Sequence, residues 1–217
     1  SFPTRRSSDL WSPDGKWFTL EFTGNKHDPY SDIGLVSAEG GKDIINLTNS
    51  GYMSGYPHFA LDGNAILFTT ERYGMRAHAS WGSLNDAMLV FLNQDAYDKY
   101  CLSKEDYELR KELEKEQKKS AGKDTPQGKN KDKKKKYDKK DSNADEKDDQ
   151  PKDIVVELKG IEDRVVRLTP NSSDMGSTII SKDGETLYYL AAFEGGYDLW
   201  KMNLRKKETK LLHKMDA

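Results

Sequence analysis

The 217-residue sequence contains a single cysteine, Cys101, and nowhere does it have a long run of apolar residues. One cysteine cannot form an internal disulfide, and it lacks the partner thiolates of a cysteine-rich metal site. A membrane-spanning helix needs about 20 consecutive apolar residues, and a signal peptide needs an apolar stretch after a basic start. Neither pattern occurs in these residues, so the sequence predicts no membrane span.

An excess of charge of one sign is also missing. Lysine and arginine (35) nearly balance aspartate and glutamate (37), for a net charge of −2, although 33% of the residues are charged. A nucleic-acid-binding domain usually shows an overall or strongly localised basic excess. The overall balance therefore predicts no nucleic-acid partner.

Catalytic and cofactor motifs are likewise absent from the sequence. The histidines share neither the helical spacing nor the neighbouring ligands of a metal site; they are His27, His58, His78 and His213. There is no G-x-S-x-G elbow, no Walker loop and no G-x-G-x-x-G before a helix. We therefore predict no catalytic residue, metal ligand or cofactor site in this chain.

The charge is concentrated between residues 104 and 152. Ser103 is a typical helix N-cap, and the mixed charges that follow it at helical spacing predict a solvated helix to about Lys119. Residues 120–150 are too poor in apolar groups to fold and are expected to be disordered. The stretch KDKKKKYDKK could bind a polyanion, but interleaved acidic residues favour a solvated polyampholyte insertion.

The segments on either side of this insertion repeat each other. WSPDGKWFTLEF, FALDGNAILFTT and ISKDGETLYYLA each place an Asp-Gly turn before a run of strand-forming residues. A Leu-Thr pair, at Leu47-Thr48 and at Leu168-Thr169, precedes the second and third turns by the same 15 residues. The sequence therefore predicts tandem units of four strands.

The repeat length predicts the architecture. The first two turns are 48 residues apart, close to the roughly 40 to 50 residues of a four-stranded propeller blade. We predict an all-β fold, a partial β-propeller of nearly three blades with a charged, helical and then disordered insertion in the second. The predicted segments are 11–103, with an incomplete first blade and the start of the second, the insertion at 104–152, and 153–217.

Alternation of the strands assigns the connections to two faces. The Asp-Gly turns and the insertion share one face, and the loops between second and third strands share the other. Binding residues are usually carried on such loops. The longest one predicts a contact surface for a peptide or protein partner, made of Arg72, Tyr73, Arg76, His78 and Trp81. In the competing interpretation, the aromatic rings pack under the loop and the arginines pair with carboxylates at the blade edge.

Several longer strings resemble the N-terminal propeller of bacterial tricorn-like proteases. They are RYGMRAHASWGSLNDAMLVFLNQDAYDKY, IEDRVVRLTPNSSD and LAAFEGGYDLWKMNLRKKETKLL, together with WSPDGKWFTLEF and GGKDIINLT. The resemblance covers residues 11 to 217. It implies a large serine peptidase in which propellers gate the passage of peptides to a catalytic domain.

The resemblance places the serine, histidine and glutamate machinery in a C-terminal region, so no catalytic residue transfers to this sequence. It implies peptides as partners, further propeller, PDZ-like and catalytic domains in the parent chain, a homo-oligomer and a cytoplasmic location. The WSPDG repeat is shared with Tol-system propellers. The alternative is therefore a non-enzymatic, protein-binding propeller, for which a periplasmic location is open.

Residues 1–10, SFPTRRSSDL, do not fit the repeat. The register predicts an apolar first strand before Trp11, and this segment has no such pattern. It resembles the translation of a sequencing adapter, so we expect it to lie outside the fold.

Overall fold

The computed structural model describes residues 10–24, 30–41, 43–76, 82–121, 153–193 and 195–215. The predictions made for residues 1–9 and for the disordered part of the insertion beyond residue 121 fall outside these ranges. The chain forms two compact units. One comprises residues 1–101 and 152–217, and the other comprises residues 102–151.

The larger unit contains three antiparallel sheets whose strands follow chain order. The first sheet has β1 (Trp17–Phe22), β2 (Asp32–Ser37) and β3 (Ile45–Asn46). The second has β4 (Ser54–Ala60), β5 (Ala65–Thr70), β6 (Asp86–Phe91) and β7 (Val165–Arg167). The third has β8 (Asp174–Ile180), β9 (Thr186–Ala192), β10 (Asp198–Asn203) and β11 (Glu208–His213). The predicted all-β partial propeller is confirmed, and Trp11 bridges Phe18 where the first sheet would have another strand.

The second sheet is apolar on both faces. Every residue of β5 and β6 is buried, and successive side chains enter opposite clusters. Leu67 and Leu89 pack with Leu187 and other residues of the third sheet, whereas Ile66 packs with Ile33 of the first sheet. Because strand side chains alternate between faces, continuous apolar runs are required where a sheet is covered on both sides.

The turns of the first and third sheets are built identically. Ser12 donates its hydroxyl hydrogen to Asp14 at 2.5 Å and accepts the N–H of Trp17 at 2.9 Å. In the third sheet, Ser181 donates to Asp183 at 2.5 Å and accepts the N–H of Thr186 at 3.0 Å. The S-x-D-G sequence thus satisfies the turn's own polar groups, which is why it recurs before a strand.

The second sheet has a different turn. Ala60 occupies the position of the serine, and it offers no hydroxyl to the backbone. The chain instead forms a 3₁₀ turn over Leu61–Gly63, in which Leu61 and Asp62 adopt left-handed φ angles of 54° and 53°. Asn64 stabilises this turn by donating its side-chain and backbone N–H groups to the carbonyl of Leu61.

Two helices follow the second sheet. Helix α2 (Lys104–Ala121) begins after Ser103, whose hydroxyl accepts the N–H of Asp106 at 3.1 Å, so the predicted cap is confirmed. Helix α1 (Gln94–Cys101) was not predicted. Asn93 caps it by accepting the N–H of Ala96 at 2.9 Å, and the rings of Tyr97 and Tyr100 pack on Phe91, an aromatic contact that sequence spacing alone does not reveal.

Segments on either side of residues 102–151 are fastened to different sheets. In the third sheet, Arg205 donates to the carbonyls of Tyr100 and Lys99 at 2.5 and 2.9 Å. After residue 152, Ile154 donates its N–H to Asp14 in the turn of the first sheet at 2.8 Å. This bond, with those from Ser12 and the backbone of Lys16, lowers the pKa of Asp14 although burial opposes the shift. The two attachments link both outer sheets to the second.

The serine of the S-x-D-G turn can be tested in the third sheet. Ser181→Ala removes one hydrogen bond to a carboxylate and one from a backbone N–H, so we expect the free energy of unfolding to fall by about 1 kcal/mol. Urea denaturation measures it. The control is Lys182→Ala in the same turn, and equal losses for the two variants would contradict the assigned role.

The attachment of α1 to the third sheet predicts a local change in amide exchange. Arg205→Ala leaves the last carbonyls of α1 without their cationic donor, so we expect protection at residues 97–101 to fall about tenfold. Hydrogen exchange followed by mass spectrometry measures it. Lys206→Ala, at the neighbouring exposed position, should leave protection unchanged, and unchanged protection in Arg205→Ala would show that the contact does not hold the helix.

Candidate functional site

The loops opposite the Asp-Gly turns form a surface that we call the loop face. It comprises residues 23–24 with 30–31, 47–53, 71–76 with 82–85, 168–173, and 193 with 195–197 among those described. Asn85 and Ser173 exchange backbone hydrogen bonds of 2.8 and 3.1 Å, which join the loops of the second and third sheets. Of the predicted contact residues, this face carries Arg72, Tyr73 and Arg76.

A buried carboxylate closes the first sheet beneath the loop face. Asp32, at the start of β2, accepts hydrogen bonds from Thr48 Oγ1 at 2.8 Å and Asn46 Nδ2 at 2.9 Å. The same hydroxyl of Thr48 accepts the N–H of Ile33, while Leu47 is buried in the core. The two residues of the repeated Leu-Thr pair therefore have different roles. The leucine fills the core, and the threonine, which follows β3, forms hydrogen bonds to the neighbouring strand β2.

The second sheet has a corresponding carboxylate, which binds a charged arginine as well as hydroxyl groups. Asp86 is completely buried at the start of β6. It accepts hydrogen bonds from Thr169 at 2.8 Å and Ser172 at 2.7 Å, and two N–H groups of Arg167 approach it at 2.9 and 3.0 Å. Hydrogen bonds and an opposite charge can both replace the lost hydration of a buried carboxylate, and Asp86 has both.

Asp32 and Asp86 were missed in the sequence. Each is the first residue of a strand, Asp32 of β2 and Asp86 of β6, and lies 16 and 83 residues before the threonine that it binds. The long insertion hides this correspondence in the second sheet. The usable signal was the shared Leu-Thr pair, whose hydroxyl needs an acceptor at the same place in each sheet.

The ion pair of Arg167 with the buried Asp86 supports the candidate loop. The guanidinium carbon of Arg167 lies 5.1 Å from the centre of the Tyr73 ring, and that of Arg72 lies 5.5 Å from the same centre. Cations at such distances are attracted to the electron-rich face of the ring. Tyr73 is still 47% exposed, so it is anchored through Arg167 while its ring remains accessible.

The loop is a narrow hairpin. Arg76 bridges Ser83, and Leu84 donates its N–H to the carbonyl of Met75 at 3.2 Å. A Cβ at Gly74 would collide with the carbonyl oxygen of Leu84, so only glycine allows this approach. The side chain of Met75 in this hairpin is 79% exposed.

Arg76 is held less firmly than Arg167. Its guanidinium lies 6.0 Å from the ring of Tyr52. Burial raises the pKa of the nearby Glu71, and a backbone hydrogen bond from Ser83 and the charge of Arg76 oppose that shift. Arg76 itself is exposed, so its charge is presented to solvent beside an aromatic ring.

The structure brings three of the five predicted contact residues into one loop. Arg72, Tyr73 and Arg76 are exposed there together with Met75, which the sequence interpretation did not include. His78 and Trp81 lie outside the described residues. The carboxylate partner of the competing interpretation exists as Asp86, but it binds Arg167 rather than an arginine of the loop.

Among the described residues, no group of three or more histidine, cysteine, aspartate or glutamate side chains is arranged to hold a metal ion. No described helix has the length and apolar character needed to cross a membrane.

Comparisons with known proteins identify similar structures. No family model and no curated protein matches the sequence. A crystal structure of the tricorn protease superposes with a TM-score of 0.52 at 9% identity, over 94% of this chain and 18% of that one. TolB from Acinetobacter baumannii gives 0.47 at 14% identity, over 95% and 32%. A putative TolB from Agrobacterium tumefaciens gives 0.47 at 15% identity, over 93% and 47%.

At these identities the likeness concerns the fold. The chain spans less than half the length of each of these structures. Together with the three sheets and their two shared cores, the tricorn superposition supports a partial propeller, without distinguishing a peptidase from a binding module.

The closure around Asp86 predicts a large energetic effect. Asp86→Ala leaves Arg167 and two hydroxyl groups without their buried acceptor, so we expect unfolding to become easier by about 3 kcal/mol. The matched control is Asp198→Ala at the start of β10, where the carboxylate accepts the N–H of Met215 at 3.0 Å. Denaturant unfolding compares them, and a loss for Asp86→Ala no greater than for the control would contradict the account.

Proposed function

We propose that the chain is propeller sequence of a tricorn-like serine peptidase, and that its loop face contacts peptides on their way to a catalytic domain. The observation that carries the contact role is the exposed loop of Arg72, Tyr73, Met75 and Arg76 above the Asp86–Arg167 pair. The peptidase role is supported by the longer strings that resemble tricorn-like proteases.

The composition of the loop suits peptide contact. Tyrosine, arginine and methionine are enriched in protein interfaces. Tyrosine offers a large contact area at a low entropy cost, arginine forms bidentate hydrogen bonds, and methionine adapts its apolar side chain to the partner. The guanidinium groups of Arg72 and Arg76 would pair with peptide carboxylates and carbonyls. Anchoring of Tyr73 through Arg167 lowers the entropy lost when a peptide binds.

The proposal has consequences for the rest of the protein. Catalysis, by an activated serine with an oxyanion hole, would reside in a domain outside this sequence. Residues 11–103 and 153–217 would act as propeller, with 104–152 as an insertion. The cytoplasm would be the compartment, and the partners would be peptides and the other domains of a homo-oligomeric parent.

The second candidate is a non-enzymatic propeller of the Tol-system type. The observation in its favour is the S-x-D-G turn, which is built identically around Ser12 and Ser181. Its WSPDG form at residues 11–15 resembles the repeat of those propellers. In this case, the loop face would bind a protein partner, a periplasmic location would apply, and no hydrolysis would occur.

Hydrolysis of fluorogenic peptides by the protein expressed from the complete reading frame tests the proposal. We expect turnover by that protein and none by the present 217 residues. Arg72→Ala combined with Arg76→Ala should lower kcat/KM about tenfold for acidic hexapeptides and leave a dipeptide substrate unaffected, because only the longer substrate reaches the loop.

The matched control is Lys182→Ala combined with Lys206→Ala, which removes two exposed cations from the opposite face. Absence of hydrolysis by the complete protein would refute the peptidase and leave the Tol-type candidate. Turnover by the present chain would also overturn the assignment. If the loop variant has the same kcat/KM for acidic hexapeptides as the unaltered protein, the loop does not contact the peptides.

A further inference from the structure

The first and third sheets each have one apolar face that belongs to neither core. We call these surfaces the first-sheet outer face and the third-sheet outer face. The members of the first-sheet outer face are Phe18, Leu20, Phe22, Val36 and Ile44. The members of the third-sheet outer face are Ile179, Tyr188, Leu190 and Leu199. The proposed function makes no use of either surface.

The register of the repeat shows which side of a sheet faces the preceding one. The third residue after the turn glycine is Phe18, Ile66 or Leu187 in the three sheets. Ile66 enters the core shared with the first sheet, and Leu187 enters the core shared with the second. Phe18 has the same position, so the first-sheet outer face has the register of a surface that receives a preceding sheet.

The fourth residue after the glycine lies on the side of the following sheet. Leu67 has this position in the second sheet and packs in the core with Leu187 of the third. Tyr188 has it in the third sheet, where β9 alternates between buried and half-buried residues although β5 is buried throughout. The third-sheet outer face therefore corresponds to the surface that the second sheet presents to the third.

Apolar side chains adjoin across three strands of the third-sheet outer face. Leu190 lies opposite Leu199, and Tyr188 lies opposite Ile179. Ile179 is 61% exposed. Contiguous apolar surface of this kind marks an interaction site more often than a solvated surface.

The first-sheet outer face is built around Gly34, which lies opposite Leu20. A Cβ on Gly34 would lie 2.6 Å from Cγ2 of Ile44 and 3.0 Å from the ring of Phe22, so both side chains extend over the glycine. Ile44 is 43% exposed. This face thus offers aromatic and aliphatic groups to a neighbouring sheet.

From this complementarity we propose that two copies of the chain associate head to tail. The third-sheet outer face of each copy packs on the first-sheet outer face of the other, as the second sheet packs on the third within one copy. The occupant is a second copy because the chain itself carries both halves of the interface, in the register in which such halves meet twice inside it. Removal of apolar surface from water drives the association. The inference does not depend on whether the complete protein is a peptidase.

The number of sheets permits a closed ring. Each copy contributes three sheets, so two copies give six, which is within the roughly four to eight sheets of propellers. Three copies would give nine, which is above that range. Head-to-tail contacts form a ring when their rotation closes and a filament when it does not. We therefore expect a pair with two equivalent interfaces.

Size-exclusion chromatography with light scattering of the 217-residue chain tests this inference. We expect a mass twice the 24.7 kDa of one chain, with no larger species as the concentration rises to about 100 µM. Small-angle scattering of the same sample distinguishes a closed ring from an open pair, because only the ring lacks free ends.

Ile44→Lys and Ile179→Lys each place a charge in one of the two faces, at positions exposed enough for the single copy to keep its fold. Each should raise the Kd of the pair about tenfold, because a charge would be buried at the interface. Leu113→Lys in α2, where the leucine is 50% exposed, is the matched control and should leave the Kd unchanged. Circular dichroism of each variant checks that the fold is retained.

Mixing the two variants tests the head-to-tail arrangement. A pair made of one Ile44→Lys copy and one Ile179→Lys copy has one interface without a substitution, so the mixture should associate more tightly than either variant alone. If each face instead met its own equivalent, only one of the two variants would affect association, and this result would overturn the arrangement. Species that grow with concentration, as in a filament, would overturn the closed pair. A monomer at every concentration would overturn the inference and leave further sheets of a longer chain as the occupants of both faces.

Discussion

The burial of the second sheet between the other two is the constraint on which the structure depends. Neither β5 nor β6 has a polar residue in its middle, and each successive side chain enters a different core. A single four-stranded sheet with two apolar faces cannot be stable in water by itself, so it requires neighbours on both sides. The first and third sheets supply them with Ile33 and Leu187.

Outside the two cores, polar side chains form hydrogen bonds at the ends of the sheets. At one end, the S-x-D-G turns satisfy their own groups, and the segments beside the insertion attach to Asp14 and Arg205. At the other, Thr48 and Thr169 each bind the carboxylate that begins the neighbouring strand, Asp32 of β2 and Asp86 of β6. These bonds hold the loop face in place, so Arg72, Tyr73 and Met75 are exposed on a supported loop.

The sequence predicted those features that repeat and those that depend on local periodicity. The Asp-Gly turns, the Leu-Thr spacing, the strands and the cap at Ser103 are all local patterns, and the structure has them. Helix α1 escaped prediction because its stabilising contacts, Tyr97 and Tyr100 on Phe91, are tertiary. The unusual turn at Leu61 was not predicted because the shared Asp-Gly pattern takes no account of Ala60, which lacks the serine hydroxyl.

The candidate site was predictable only in part for the same reason. The composition of a long loop indicates exposed arginine and aromatic residues, and Arg72, Tyr73 and Arg76 were identified in this way. The support from Arg167 and Asp86 joins residues 81 positions apart. Contacts at such separations depend on how the sheets pack, and no single stretch of sequence carries that information.

Native-state hydrogen exchange resolved by residue tests the central claim, that the second sheet is the doubly covered core. The account predicts that the amides of β5 and β6 exchange slowest and only through global unfolding, while those of β11, which pairs on one side, exchange through smaller openings. Exchange of β5 and β6 as fast as that of β11 would contradict it, because those strands would then not be covered on both faces.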